Sequence, residues 1–393
     1  MDRLANKLTT YVGSFERLKL ALNYGAEHLI FEDPKLSARS YAEATLQIGF
    51  QHLEDWAQYA RIQNPDIEIS FNLDIMIHDR HFPLILLLIK TLEKANIQHI
   101  RVQDTGLTLF FKTHFSKAHL TLAMETGNQN LESIYRYTTL FDSQVLNNEM
   151  PFSELKKTVL NCPHYPFELQ VQGPLLIQYS NRRYMAGFEE TEAPLYRIAQ
   201  DEQYPNRFFP FYDNVHGHFM YLYFDRCLLT YIPDLLSLDL SGWIIDARGE
   251  SDSYLIQTLT LYKKYRTLTV AISDPDLESL ASLAQRPQKG GFFRANRTDQ
   301  DRESVVKEVE GYHYTGIVID TVSKKQFTFE TLWPLSLGNE IKILTPEGHE
   351  ANFTLAQMSS AFNIPLIQAQ VGDIISLPWQ KRVVTQSKVF LKK

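Results

Sequence analysis

The stretch Glu168-Leu-Gln-Val-Gln-Gly-Pro-Leu-Leu-Ile-Gln-Tyr-Ser-Asn-Arg182 decides the fold. Its side chains alternate about Leu169 and Val171, which predicts a buried β-strand. We expect this strand to break at Gly173-Pro174 and to end in a polar turn that carries Tyr179 and Arg182. A buried strand that delivers a tyrosine and an arginine at its carboxyl end is typical of the functional end of an α/β barrel.

Short apolar runs separated by helical patterns extend this interpretation to most of the chain. They predict a (β/α)8 TIM-like barrel over residues 1–300, with a long insertion at about 184–224. Short β runs between turn residues predict a small C-terminal β-barrel domain over 306–393. The eight predicted barrel strands are 8–12, 29–31, 67–73, 99–102, 120–124, 144–146, 167–171 and 243–246.

Composition narrows the class of protein. A chain of 393 residues with 44% hydrophobic and 22% charged residues is an ordinary globular protein. Its net charge of −7 argues against general coating of nucleic acid, although a local basic patch remains compatible with that average. The most apolar run, 82–89, is too short to span a bilayer, and the first residues lack the apolar core of a signal peptide. We therefore expect a cytoplasmic protein with no membrane partner.

Polar residues at the carboxyl ends of the predicted strands form a candidate site, because this rim of a barrel carries the catalytic loops. Arg39, Arg182 and Arg248 follow three different strands and predict a clamp for a small dianion. Each guanidinium can hold a carboxylate with two parallel hydrogen bonds. The alternative is that rim arginines and carboxylates pair with one another. The other members of this constellation are Asn72, Asp104, Glu125, Glu149, Tyr179 and Asp246.

Other chemistries are less well supported by the residues. His78-Asp-Arg-His81 and His216-Gly-His218 each supply two imidazoles, whereas a complete metal site needs three or four ligands. We expect no metal site. Cys162 lies beside a proline, and the apolar, helix-like context of Cys227 favours a buried inert thiol. Ser180 has no base or orienting carboxylate that the sequence alone reveals.

Two basic patches predict contact with RNA, because basic groups beside aromatic side chains suit RNA. One is the tail 381–393, with five basic residues and no acid. A solvated surface is the alternative interpretation of both patches. The other patch consists of Arg286, Lys289, Phe292, Phe293, Arg294 and Arg297.

The opening stretch resembles the signature of the collagenase-like peptidase family, peptidase family U-32, which reads roughly E-V-F-V-H-G-A-L-C-x-x-Y-S-G-R-C. Gln172 stands where the family has histidine, and Leu176 and Arg183 stand where it has cysteines. Segments before and after this stretch are similar to other family motifs, in the same order and spacing. The positions that match the signature are Glu168, Gly173, Leu175, Tyr179, Ser180 and Arg182.

This resemblance implies three functional descriptions. Family members include collagenase-like peptidases, RNA hydroxylation proteins that help make 5-hydroxyuridine in tRNA with prephenate, and proteins of ubiquinone hydroxylation. Many carry four cysteines thought to hold an iron–sulfur cluster, whereas this chain has two.

We therefore expect a cluster-free protein of the RNA-modification type, acting on tRNA or rRNA. It would bind prephenate or a similar dianion through Arg39, Asn72, Asp104, Arg182 and Arg248. Glu149, Tyr179 and Asp246 are the candidate catalytic residues. A cysteine-bearing paralogue is the candidate partner. The alternatives are a collagenase-like peptidase and a catalytically inactive binding scaffold.

Overall fold

The structure is a computed structural model that describes residues 6–39, 50, 52–124, 126–185, 195–200, 207–267, 272–294, 309, 311–345 and 349–393. The chain divides into two compact units, Met1–Asn296 and Arg297–Lys393. Arg297 and Glu125, two predicted site residues, lie outside the described residues.

Unit 1 is built on strands that follow the apolar runs of the sequence. They are β1 (Lys7–Val12), β2 (His28–Phe31), β3 (Glu68–Leu73), β4 (His99–Val102), β5 (His119–Leu122), β6 (Ser143–Val145), β7 (Phe167–Ser180), β8 (Leu195–Gln200), β9 (Phe208–Asn214), β10 (Gly217–Cys227), β11 (Gly242–Ile245) and β12 (Gln288–Lys289).

Eight of these strands form a closed parallel barrel. Strands β1 to β7 pair in sequence order, and β11 closes the ring by pairing in parallel with both β7 and β1. The strand interiors are almost entirely buried, which explains why they read as continuous apolar runs. The predicted (β/α)8 barrel is confirmed.

Helices cover the outside of the barrel. Helix α1 begins after Ser14, whose hydroxyl accepts the backbone N–H of Arg17 at 3.2 Å and caps the first turn. In the described part of the chain, no helix combines the length and apolar character needed to cross a bilayer. The helices are α1 (Phe15–Asn23), α2 (His52–Gln63), α3 (Phe82–Lys94), α4 (Leu107–His114), α5 (Leu131–Tyr137), α6 (Phe152–Asn161), α7 (Ile232–Ser237), α8 (Asp252–Thr267) and α9 (Asp274–Leu283).

Strand β7 does not break at Gly173-Pro174, so that prediction was wrong. It continues to Ser180 and pairs in antiparallel fashion with β10, which pairs with β9, which pairs with β8. Gly173 makes this possible because it adopts a φ of +120° and packs against the backbone of Asp246. We call β8, β9, β10 and the part of β7 after Gly173 the cap sheet. Cys227 ends β10 and is buried there, not in the helical segment we predicted.

The cap sheet crosses the carboxyl end of the barrel. Its β9–β10 turn reaches the loop after β2, where the His216 ring bonds to the carbonyl oxygen of Pro34 at 2.6 Å. Nearby, Asn214 Nδ2 donates to the carbonyl oxygen of Ala38 at 2.8 Å. Strand β2 is separated from β7 by β11 and β1, so the cap sheet spans the mouth from one side toward the other. The described part of the 184–224 insertion therefore supplies a structural cover.

Unit 2 is an antiparallel β half-barrel with its own apolar core. Its main sheet has the order β17-β16-β21-β13-β14-β20-β18, and the core includes Phe327, Phe329, Ile341 and Ile343. The small C-terminal β unit expected from the sequence is confirmed. Its strands are β13 (Tyr312–Val322), β14 (Gln326–Glu330), β15 (Leu335–Ser336), β16 (Glu340–Leu344), β17 (Glu350–Thr354), β18 (Ser359–Ser360), β19 (Gln368–Ala369), β20 (Ile374–Pro378) and β21 (Lys388–Lys392).

The close approach at Gly173 predicts a large effect of one added methyl group. In Gly173→Ala the new Cβ would lie 2.9 Å from Cβ of Asp246 and closer still to its carbonyl oxygen. Gly127→Ala is the matched control, because Gly127 also has a positive φ (+83°) but an added Cβ meets no atom within 4 Å. We expect Gly127→Ala to lower the free energy of unfolding by about 1 kcal/mol and Gly173→Ala to lower it clearly more. Urea denaturation measures both; equal losses would contradict the role given to Gly173.

Candidate functional site

Arg248 is the centre of a buried ion-pair network at the mouth of the barrel. Its Nε and Nη2 donate to the two carboxylate oxygens of Asp246 at 2.9 and 2.7 Å, and Nη1 donates to Glu32 Oε1 at 2.7 Å. The guanidinium also lies over the ring of Tyr11, 3.6 Å from its centroid. Because β1, β2 and β11 end side by side, residues distant in the sequence meet here.

The charges in this network are set by the balance between burial and pairing. Burial opposes ionisation of Asp246, but the adjacent Arg248 guanidinium outweighs it and holds the pKa of that carboxyl below its usual value. Burial raises the pKa of Glu32, which Arg248 and the amide of Asn72 offset only in part. Despite burial, the two carboxylates raise the pKa of Arg248 well above its usual value. Arg248 therefore stays charged.

The three predicted clamp arginines occupy different environments. Arg39 is buried near this network, 5.9 Å from the ring centroid of Tyr221 in β10. Arg182 is exposed on the turn after β7. Arg248 fits the alternative expectation, in which rim arginines pair with rim carboxylates. Arg39, Asn72, Asp246 and Arg248 form one neighbourhood.

Two predicted acidic residues have local hydrogen-bonding roles. Asp104 accepts the backbone N–H groups of Ile77 at 3.1 Å and Gly106 at 2.8 Å, which ties the loop after β4 to the loop after β3. Oε2 of Glu149 accepts a hydrogen bond from Nε2 of Gln129 at 2.7 Å.

Tyr179 lies on the inner face of the cap sheet. Its hydroxyl contacts Asn181 and the carbonyl oxygen of His216, and its ring stacks on Phe219 with centroids 4.9 Å apart. Burial raises the pKa of the Tyr179 phenol to about 12. Its hydroxyl is therefore neutral at physiological pH and serves as a hydrogen-bond donor.

A groove of about 650 Å³ lies against the rim beneath the inner face of the cap sheet. Arg248 and Arg286 contribute cationic groups to it, and Tyr221 and Tyr223 of β10 contribute aromatic rings. This combination of apolar surface and a few convergent polar groups is typical of a small-molecule site. Strands β8 and β9 add four further side chains, Tyr196, Ile198, Phe208 and Pro210.

Arg286 joins this groove to a buried carboxylate. Its guanidinium lies 2.8 Å from Asp225 Oδ1; the Asp225 side chain is fully buried, whereas that of Arg286 is 20% exposed. Burial raises the pKa of the Asp225 carboxyl to about 7, even though Arg286 opposes this shift. Near neutral pH Asp225 is therefore only partly ionised, and the positive charge of Arg286 is incompletely neutralised.

Phe293 was predicted to stack on RNA, and its position makes that prediction wrong. Its side chain is fully buried and packs against Phe152 and Tyr231, with ring centroids 5.5 and 5.2 Å away. Its backbone carbonyl accepts the N–H of Phe152 at 2.7 Å. Phe293 belongs to the hydrophobic core and cannot present its ring to a base.

The rest of this basic patch is closer to the surface. Lys289 is exposed, and its ammonium contacts the hydroxyl of Tyr223 at 3.0 Å. Arg294, 58% exposed, pairs with Asp234 at 2.6 Å. Phe292 is half-buried. Lys289 and Arg294 are thus exposed cations that follow Arg286 in the same segment of the chain.

Arg226, in β10, is a buried cation that the sequence did not single out. Its Nη1 donates to Asn148 Oδ1 at 2.7 Å and to the carbonyl oxygen of Gln170 at 3.1 Å, while Nε and Nη2 have no hydrogen-bond partner among the described residues. Burial lowers its pKa to about 10. Within the barrel, Arg101 instead pairs with Glu168 at 2.9 Å.

The residues do not fit a four-thiolate iron–sulfur cluster. The chain has two cysteines, Cys162 and Cys227, and both are buried. Burial raises the pKa of the Cys227 thiol to about 11, which disfavours the thiolate that a cluster requires. Among the described residues, no group of three or more His, Cys, Asp or Glu side chains is arranged to hold a metal ion.

The fold and the site define a (β/α)8-barrel protein whose mouth is covered by a cap sheet and whose rim carries an arginine-lined groove. The chain belongs to peptidase family U32, whose family model matches residues 13–303. This confirms the resemblance found in the sequence.

Similar proteins were also found individually. The tRNA hydroxylation protein P of Escherichia coli (strain K12) is 19% identical and aligns with 90% of this chain and 89% of its own. The protein of the same name from Haemophilus influenzae (strain ATCC 51907 / DSM 11121 / KW20 / Rd) is 18% identical, with 93% and 91% covered. A solved U32 peptidase is 12% identical, with a TM-score of 0.36 over 48% of this chain and 75% of that one.

Sequence reasoning missed several residues of this site. Glu32 directly follows a predicted strand, and this position could have marked it as a rim carboxylate. Tyr221 lies in the insertion, and Arg286 was assigned to RNA contact instead of to the groove. Tyr11 read as an ordinary strand residue, with no signal that it lies under a guanidinium.

Removal of the Arg248 charge should destabilise the protein strongly, because it leaves two buried carboxylates without the guanidinium that donates hydrogen bonds to both. We expect Arg248→Met to lower the free energy of unfolding by about 3–5 kcal/mol in urea denaturation. Lys157→Ala, an exposed position on α6, serves as the control and should have little effect. Similar values for the two variants would contradict the network described above.

Asp225 predicts a specific dependence of stability on pH. Between its ordinary value near 4 and its folded value of about 7, the native state holds a proton that the unfolded state has released. Asp225 therefore lowers stability as pH rises through this window, by at most about 1.4 kcal/mol per pH unit.

The same urea experiment from pH 4.5 to 7.5, as rough limits of the window, tests this prediction. Asp225→Asn should flatten the decline relative to the unchanged protein, because it removes the titrating group. Asp55→Asn, an exposed position on α2, should keep the original slope. A decline unchanged in Asp225→Asn would show that other groups cause it.

Proposed function

We propose that this chain is an RNA-modification protein of the tRNA hydroxylation type, and that its rim groove binds a small ring-bearing anion such as prephenate. The single observation that carries the proposal is the groove itself, in which Arg286 and Arg248 meet several aromatic side chains. The two named relatives, aligned along most of both chains, supply the tRNA part of the proposal.

Arg286 is the groove residue best suited to hold the anion. Arg248 already donates three hydrogen bonds to Asp246 and Glu32, which leaves it as a partly committed donor. Among the described residues, the guanidinium of Arg286 pairs with Asp225, and that carboxyl is only partly ionised near neutral pH. A ligand carboxylate could replace Asp225 at the guanidinium and make two parallel hydrogen bonds.

The aromatic wall suits a ligand that contains a ring. Tyr196 and Phe208 line the groove and are 50% and 51% exposed, so their faces are available for contact. A cyclic dianion would pack its ring on these side chains while its carboxylates reach the arginines. Prephenate combines one ring with two carboxylates and matches this division of the groove.

Exposed cations in the segment that follows Arg286 support contact with RNA. Lys289 and Arg294 follow Arg286 in the same segment, and both are largely exposed. Lys289 also lies over the ring of Tyr223, which links the basic segment to the groove wall. Phosphate contacts from these residues would place an RNA near the bound anion.

The cysteine content supports a cluster-free protein. Two buried cysteines supply half of the thiolates that a four-iron cluster needs. We infer that any redox step of the modification belongs to a cysteine-bearing paralogue that works together with this chain. This chain would then contribute the anion groove and part of the RNA contact.

Nucleoside profiling tests this proposal in the cell. We expect deletion of the gene to reduce hydroxylated nucleosides in tRNA or rRNA, measured by mass spectrometry of RNA digests. Complementation with the unchanged gene or with Lys157→Ala should restore the profile, whereas Arg286→Ala should not. A profile that is unchanged by the deletion would overturn the proposal.

A binding measurement on the purified full chain separates the anion site from the cellular role. We expect prephenate to raise the thermal midpoint, because a ligand that binds only the native state stabilises it. Arg286→Ala should remove this shift and Lys157→Ala should retain it. If prephenate binds neither form while the cellular phenotype persists, the groove serves a different ligand.

A further inference from the structure

Asp225 is a buried carboxylate whose place in the fold is fixed by its backbone. In the strand register it lies opposite Pro174 of β7 and Gln288 of β12. Its backbone N–H donates to the carbonyl oxygen of Pro287 at 2.9 Å, and its side chain is fully buried. Because Asp225 is held between two neighbouring strands, it keeps its position when the groove is occupied.

Arg286 is the member of the pair that reaches the groove. Its side chain is 20% exposed and lines the groove, and its guanidinium lies 2.8 Å from Oδ1 of Asp225. The guanidinium is therefore within reach of two carboxylates, the internal one of Asp225 and that of a ligand. Two carboxylates that need the same donors compete for them.

We propose that Asp225 is an internal competitor for the guanidinium of Arg286, which the groove exchanges for the carboxylate of its ligand while Asp225 takes up a proton. The exchange rests on the anion groove of the proposed function, and adds the residue that controls which anions the groove accepts. It makes no covalent bond. One anion enters and one proton leaves the solvent, and both return when the anion dissociates.

The charged groups around Asp225 make this proton necessary. Arg286 is the cation that acts most strongly on its carboxyl, whereas Asp246, just after β11, and Glu250, in the loop before α8, both disfavour a negative charge there. Once a ligand engages Arg286, an ionised Asp225 would face two acids without its cation. A buried charge without its partner is strongly unfavourable, so the carboxyl binds a proton.

The neutral polar groups nearby do not replace the cation. The hydroxyl of Tyr254, on α8, donates to Oε1 of Gln288 at 3.3 Å, and Nε2 of Gln288 donates to the carbonyl oxygen of Arg286 at 3.3 Å. Burial raises the pKa of the Cys227 thiol to about 11 and that of the Tyr254 phenol above its usual value. These groups are therefore uncharged near neutral pH, and ionised Asp225 depends on Arg286.

The balance within the pair favours an exchange. Burial raises the pKa of Asp225 to about 7 although Arg286 opposes this shift. Near neutral pH the ionised, paired carboxyl and the protonated carboxyl are thus similar in free energy. Loss of the guanidinium raises the pKa further, because the pairing is what lowers it.

An internal competitor determines which ligands the groove accepts. A neutral ring can pack on Tyr196 and Phe208, but it leaves the Arg286–Asp225 pair intact. A ligand displaces Asp225 only if it carries a group that is ionised at neutral pH and belongs to a stronger acid. The selected class is ring-bearing carboxylates, and their binding becomes tighter as the pH falls toward neutrality.

Calorimetry of prephenate binding to the purified full chain, repeated in buffers of different ionisation enthalpy, counts the protons taken up. We expect little uptake near about pH 6, where Asp225 is already protonated, and nearly one proton per ligand near about pH 8. In the upper part of this range the affinity should fall by up to about tenfold per pH unit.

Substitutions assign the proton to Asp225. Asp225→Asn should abolish the uptake and the pH dependence, and near pH 8 it should bind prephenate about tenfold more tightly than the unchanged protein. Glu250→Gln should retain the uptake. Arg286→Ala should not bind. Asp55→Asn, an exposed aspartate on α2, should match the unchanged protein. Uptake that persists in Asp225→Asn, or an affinity of the unchanged protein that does not vary with pH, would overturn the proposal.

A titration without ligand separates this proposal from the identity of the ligand. If prephenate binds at no pH, the proposed ligand is wrong, and the titration alone decides the role of Asp225. The ¹³C resonance of its carboxyl carbon, assigned by its absence from Asp225→Asn, should titrate at about 7. In Arg286→Ala, shown to be folded by its urea midpoint, it should titrate at least about one pH unit higher. Equal midpoints in the two proteins would overturn the proposal.

Discussion

The antiparallel pairing of β7 with β10 beyond Gly173 is the interaction on which the functional part of this molecule depends. Backbone hydrogen bonds continue from the barrel into the cap sheet, from Gln172 opposite Cys227 to Ser180 opposite His218. The β strands of an ordinary barrel end at the mouth, where loops take over. Here one strand carries the sheet across the mouth, so both faces of the cap sheet become positions for side chains that a barrel alone would not hold.

The arginines of this region differ in how fully carboxylates neutralise them. This difference distinguishes an arginine with a structural role from one that could bind a ligand. Arg248 is matched by Asp246 and Glu32, which makes it a buried structural pair with the surrounding charges nearly balanced. Arg286 has a partner that ionises only partly near neutral pH, so it can attract an anion. Arg226 has no carboxylate partner among the described residues, and its burial opposes folding unless its amide and carbonyl acceptors offset the lost hydration.

The sequence could predict the barrel because each strand carries its own signal. Leu169 and Val171 alternate, and the other apolar runs are local patterns that need no knowledge of their partners. The course of β7 could not be predicted, because Gly173-Pro174 has the local appearance of a turn while its real conformation depends on Asp246. Arg248 and Glu32 are 216 positions apart, and no local pattern announces such a pair. Phe293 shows the converse, since an aromatic residue in a basic segment reads as exposed until its packing is known.

The strict alternation of the cap sheet has a consequence for how its length can change. One surface of β10 presents Phe219 to the barrel and the other presents His218 outward. A single-residue deletion between the β9–β10 turn and these positions would exchange the two side chains between the faces, placing the apolar ring of Phe219 beside Asp213 and the imidazole of His218 in the mouth. Insertions or deletions of two residues, or changes within the loops that flank the sheet, would leave Phe219 and His218 on their present faces. Related proteins that keep this sheet are therefore expected to differ in the length of β10 by even numbers of residues.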